Sequence, residues 1–128
     1  MAADLSEFLK AASSRPFEWG QHDCLSWLGA WVAVRHGTNP ADRFTHRYRT
    51  ARGALRIIRE HGSMAGVVRA AIEPMGLVET DEPQAGDIAI VSAPEGLIGG
   101  IVAGTFIANI GQHGLFMRRL PIVTAWRV

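Results

Sequence analysis

Apolar residues along the chain follow two rhythms, and the change between them falls near Gly76. Upstream, they recur at three- and four-residue intervals, the spacing of one helix face. Leu5, Phe8, Leu9 and Ala12 predict a short helix over residues 4–13, capped by Asp4 or Ser6. Arg15-Pro16 ends it, because the residue before proline avoids helical backbone. Cys24, Leu25, Trp27, Leu28, Trp31, Val32 and Val34 predict a second helix that runs to about Arg35 or His36. Asp23 is its N-cap and Gly37 its stop. These apolar positions cover more than one face, so the helix is expected to be largely buried at the centre of the fold.

Asn39-Pro40 breaks the chain, and Ala41 to Tyr48 reads as a short helix carrying Phe44 and Tyr48. Thr50 caps a clearer helix, with Ala54, Leu55, Ile57 and Ile58 inward and Arg52, Arg56, Arg59 and Glu60 outward. His61-Gly62 ends it, and Ser63 caps a further helix to about Ile72. Beyond Gly76 the pattern becomes that of strands and turns. Pro83 to Asp87 is a turn, and Ile88 to Val91 a short strand. Leu97 to Ala103 is apolar without alternation, as expected of a strand buried on both faces. Gly104-Thr105 turns into Phe106 to Ile110, and Gly111-Gln112-His113-Gly114 connects to Leu115 to Leu120. Thr124 to Val128 is the last strand. Helices first and an antiparallel meander afterwards predict an α+β fold, its N-terminal helices packed on a small sheet. At 128 residues without internal repeat, residues 1–128 read as a single domain.

A net charge of +1 gives no general argument for nucleic acid. The basic run Arg43, Arg47, Arg49, Arg52, Arg56 and Arg59 reads as a solvated face, because no aromatic stacking platform accompanies it. No nucleic-acid partner is therefore expected. A single cysteine excludes a disulfide framework and any cysteine-based zinc site of ordinary spacing. The five histidines lack the i, i+4 spacing of a zincin, so neither metal nor cofactor is expected. Residues 1–7 show no basic, then apolar, leader, and synthesis in the bacterial cytosol is the expectation. No apolar run reaches spanning length; Leu97 to Ile110 is too short and contains three glycines.

The candidate chemistry gathers at Cys24. With Asp23 as cap, the thiol sits in the first helical turn, where the macrodipole favours a nucleophilic thiolate. An apolar, buried setting acts the other way, and a small buried hydrophobe is the alternative role. Two histidines are candidate bases: His22, two residues before the thiol, and His113, at a hairpin tip between glycines. His36, His46 and His61 lie near predicted helix ends and read as surface residues. Trp126 and Arg127, on the last strand, are residue types that anchor interfaces, and an edge strand invites another chain.

Trp19-Gly20-x-x-Asp23-Cys24 leading into an apolar helix resembles the nucleophile motif of NlpC-type cell-wall endopeptidases, compact papain-like cysteine enzymes. Gln84-Ala85-Gly86-Asp87-Ile88-Ala89-Ile90 resembles their Pro-x-Gly-Asp turn into a strand. Gly99-Gly100-Ile101-Val102-Ala103-Gly104 resembles the next strand, whose family pattern is His-Val-Gly-Ile-x-x-Gly. The whole is similar to a small branch encoded in phage and prophage tail clusters, which shares Phe17-x-Trp19-Gly20-x-x-Asp23-Cys24, Gly114-Leu115 and the ending Ala125-Trp126-Arg127-Val128. The resemblance implies a papain-like fold with Cys24 as nucleophile. It also places Ile98 where the catalytic histidine is expected, and leaves Asn109 as the candidate for the group that orients the base.

Isoleucine accepts no proton, so the resemblance implies two functions. In the first, the chain is a phage or phage-like-particle tail-tip or tail-assembly component with a degenerate site, contacting other tail and hub proteins. In the second, it is an active cysteine peptidase or amidase that cuts peptidoglycan peptide stems, with His22 or His113 as a relocated base.

Overall fold

The computed structural model describes residues 3–128; the leader reading of residues 1–7 falls partly on Met1 and Ala2, which lie outside them. The fold is α+β. Among the described residues five α-helices come first: α1 (Ala3–Ser13), α2 (Cys24–His36), α3 (Asp42–Thr45), α4 (Ala51–Glu60) and α5 (Met64–Ile72). A 3-10 turn at Glu73–Met75 leads into six strands: β1 (Glu79–Thr80), β2 (Ile88–Ala93), β3 (Gly96–Ala103), β4 (Phe106–Gly111), β5 (Gly114–Arg118) and β6 (Ile122–Trp126). They form one sheet in the order β1-β6-β2-β3-β4-β5, with every neighbouring pair antiparallel. Among the described residues no helix is long and apolar enough to cross a membrane.

The caps sit where the side-chain chemistry places them. Asp23, Thr50 and Ser63 each accept from backbone N–H groups of the turn that follows, and Gly37 closes α2 by donating to the Ala33 carbonyl. Helices α2 and α5 pack on β3, and the fit depends on glycine. A Cβ on Gly99 would lie 2.7 Å from Leu28 Cδ1 and 3.0 Å from Val68 Cγ2, closer than side-chain atoms tolerate. Trp31, Val32, Val67, Val68, Ile88, Ile90 and Ile101 fill this core. A smaller cluster of Ala89, Val91, Val102, Ile107 and Ala125 occupies the opposite face, with Ile98 and Leu120 packed against it.

Several expectations need correction. Helix α3 is one turn rather than eight residues, and no side chain caps its start. Leu55 is exposed; α4 buries Ala54 and Ile57, and Leu55 lies about 100° round the axis from Ala54. Val34 and Leu97 are also exposed, so the last turn of α2 and the first residues of β3 lie outside the core. Gly111 pairs with Gly114, which leaves Gln112 and His113 as the hairpin loop. The largest difference concerns the last strand. β6 is interior, flanked by β2 and by the short β1 that the apolar pattern did not reveal. Trp126 is buried in the core, and Arg127 Nε lies 3.3 Å from Asp87 Oδ1. Arg127 also donates to Thr80 Oγ1 and the Glu82 carbonyl. The pair expected to anchor a partner therefore ties the chain to itself.

Candidate functional site

The loop before α2 is built around one carboxylate. Asp23 is fully buried and accepts from four donors: Leu25 N–H (3.0 Å) and Ser26 N–H (2.9 Å) at Oδ1, and Gly20 N–H (2.8 Å) and the Tyr48 hydroxyl (2.7 Å) at Oδ2. The Ser26 hydroxyl accepts in return from the Asp23 N–H, which completes a capping box. Gly20 has φ +81°, and a Cβ there would fall 2.3 Å from the Tyr48 carbonyl oxygen. Tryptophan-glycine-x-x-aspartate is thus a backbone device that seats the first turn of α2 against Tyr48.

Cys24 opens that turn, half-buried between two cavities. The smaller, of about 30 Å³, is lined by Trp19, Tyr48, Ile57, Ile58 and Met64 among others. The larger, of about 190 Å³, brings Cys24 together with Met64, Glu95, Ile98, Asn109 and Phe116. Cys24, Ile98 and Asn109, from α2, β3 and β4, therefore border one cavity, with the Ile98 side chain packed on the opposite face of the sheet. No histidine lines either cavity. His113 is exposed in the β4–β5 loop. His22 is buried on the Glu18–His22 bridge, and its Nε2 has no hydrogen-bond partner among the described residues.

Burial first, and then the negative charge of Asp23, push the Cys24 thiol up to about 12. The backbone N–H groups of Leu25 and Cys24 favour the thiolate and are outweighed. Burial thus outweighs the effect of the helix N-terminus on this sulfur, the balance expected of an apolar setting. Burial also raises the Tyr48 phenol, helped by its bond to Asp23, and lowers His22, helped by the Arg15 charge and opposed by Asp23.

Asn109 plays a structural part. Ladder pairing of β3 with β4 stops at Ile101 and Ala108. Beyond it the Asn109 side-chain amide donates to the Gly99 carbonyl, and its Oδ1 accepts from the Ile110 N–H at 2.7 Å. With both ends of the amide engaged, Asn109 holds two diverging strands together at the cavity wall. Glu95 stands at the rim, paired with Arg118 at 2.8 and 3.0 Å. Tyr48, Met64, Glu95 and Phe116 carry no motif, and their convergence on Cys24 follows only from long-range packing. Among the described residues no group of three His, Cys, Asp or Glu side chains is placed to hold a metal ion.

These titrations set an expected pH profile. Cys24 is raised when folded, so its contribution to stability is complete below the unfolded value near 9 and is lost as pH climbs toward 12. Within that window each pH unit removes about 1.4 kcal/mol per such group. His22 is depressed, so stability is lost instead as pH falls below about 6.5. Urea unfolding of Cys24→Ala is expected to show a flatter alkaline limb than the parent, and His22→Gln a flatter acid limb. Parallel limbs in parent and variant would contradict these assignments.

The chain belongs to the family described as Domain of unknown function (DUF6950), whose profile matches residues 1–128. No curated protein and no solved structure matches it.

Proposed function

We propose that the chain is a papain-like domain of the NlpC type that has lost its hydrolytic chemistry, and that it serves as a structural or assembly component of a phage or phage-like particle tail. The tail setting and the contact with other tail and hub proteins rest on the resemblance of the sequence. A cysteine at the head of a central helix, followed by an antiparallel sheet, supports the fold reading. One observation carries the loss of chemistry: no imidazole lines the cavity at Cys24. A cysteine hydrolase needs a base within hydrogen-bond reach of the sulfur, and removal of such a base costs several orders of magnitude in rate. Burial and the Asp23 charge also favour the protonated thiol over the thiolate.

Iodoacetamide is therefore expected to alkylate the folded protein at neutral pH more slowly than the urea-unfolded chain. Tail assembly and infectivity are expected to survive Cys24→Ser. The second reading, an active peptidase or amidase acting on peptidoglycan stems, draws on one feature: the buried, unpartnered Nε2 of His22, two residues before the sulfur. Rapid alkylation at pH 6 that disappears in His22→Ala or His113→Ala would establish that reading against ours.

A further inference from the structure

We propose that the exposed face of α4 is a docking surface for an acidic helical protein segment, an inference that stands apart from the function proposed above. Residues 42–60 carry six arginines against Asp42 and Glu60, so a local charge of +4 sits in a chain whose net charge is +1. Two of the six are engaged internally: Arg43 donates to the Ala70 carbonyl, and Arg47 forms a two-point pair with Glu60. Arg49, Arg52, Arg56 and Arg59 are exposed and enter no ion pair among the described residues.

Their placement opposes the stability of the helix that bears them. Arg52 is the second residue of α4, where the macrodipole favours an acid, and α4 has none in its first turn. Arg52 and Arg56 are like charges at i, i+4, a repelling arrangement, and the Glu60 carboxylate, already held in its two-point pair with Arg47, acts on Arg56 only at a distance. Carboxylates from outside the chain would reverse both effects. Arg52, Arg56 and Arg59 lie on the side of α4 opposite buried Ala54 and Ile57, over about 10 Å of helix axis. That spacing matches carboxylates at i, i+4 and i+7 of a second helix, and the planar guanidinium suits two-point pairing with them.

Leu55 selects between classes of partner. It is 44% exposed and borders the arginine row. A leucine gains nothing from a sugar-phosphate backbone, and Phe44 and Tyr48, the aromatic residues of this segment, are buried and unable to stack on bases. A protein helix that sets an apolar residue among its acids satisfies Leu55 and the arginines together.

The test uses a fluorescein-labelled synthetic helix with Glu at i, i+4 and i+7 and Leu beside them, read by anisotropy against the full chain at about 50 mM salt. Binding is expected, weakening as salt rises. It should drop about tenfold or more in the Arg52→Glu/Arg56→Glu/Arg59→Glu variant and about threefold in Leu55→Ser. Circular dichroism confirms that each variant is folded, and the Arg→Gln triple variant replaces the Glu one if that unfolds. Failure to bind the peptide, equal binding of its Glu→Gln counterpart, or no change in the triple variant overturns the proposal. So does tighter arginine-dependent binding of a DNA duplex or of phosphatidylglycerol vesicles, or arginine-dependent self-association in light scattering.

Discussion

Asp23→Ala is expected to destabilise the protein by about 3–5 kcal/mol, enough to bring a small domain close to unfolding at ambient temperature. The substitution removes an acceptor used by four donors inside the fold. Two of the donors are first-turn amides of α2, one is the Gly20 amide that shapes the preceding loop, and one is the Tyr48 hydroxyl. Loss of the cap alone costs about 1 kcal/mol; the larger figure reflects buried donors left without a partner. Tyr48→Phe, which removes one donor and leaves the carboxylate three, is expected to cost about 1–2 kcal/mol. Urea unfolding followed by far-UV circular dichroism gives both values. An Asp23→Ala protein within 1 kcal/mol of the parent would mean that the loop reorganises around water.

Trp126→Ala is expected to cost a comparable 3–5 kcal/mol. Its ring is buried against the main core on an interior strand, with Arg69 stacked over it at 5.4 Å. The same substitution in an interface anchor would leave the isolated chain stable and harm only assembly. The two roles separate cleanly: a Trp126→Ala monomer with parental unfolding behaviour and a specific assembly defect would refute the core placement. Arg127→Ala is expected to be milder, since Asp87 Oδ2 still accepts from the Gln84 N–H at 2.8 Å.

The helical half of the chain was legible because its signals are local. Asp23, Thr50 and Ser63 announce helix starts within three residues of the groups they cap, and Gly37 marks the end of α2 in the same way. Strand positions were legible too, but strand order was not. Apolar runs show which segments pair without showing with whom, and a two-residue strand such as β1 leaves no periodic trace. Leu55 sits at the border of the apolar stripe of α4, where sequence spacing alone does not separate inside from outside. At the site, Cys24 stood out by position and residue type, while Ile98 and Asn109 came from a family resemblance. The Tyr48 bond to Asp23 joins residues 25 positions apart, and no local rule reports it.

The interior place of β6 also has a consequence for biosynthesis. Glu79 pairs with Trp126, and Ile88 with that same residue, so the slot between β1 and β2 stays vacant until the segment around residue 122 has been made. Until that segment docks, the folding chain presents the flank of β2, an apolar strand of Ile88, Ala89, Ile90 and Val91, as an open template. Sheet completion must await a contact distant in sequence, which slows folding and lengthens the exposure of that flank. Overexpression at low temperature or with trigger-type chaperones should therefore raise the soluble yield more for this chain than for an α+β domain whose last strand adds at an edge.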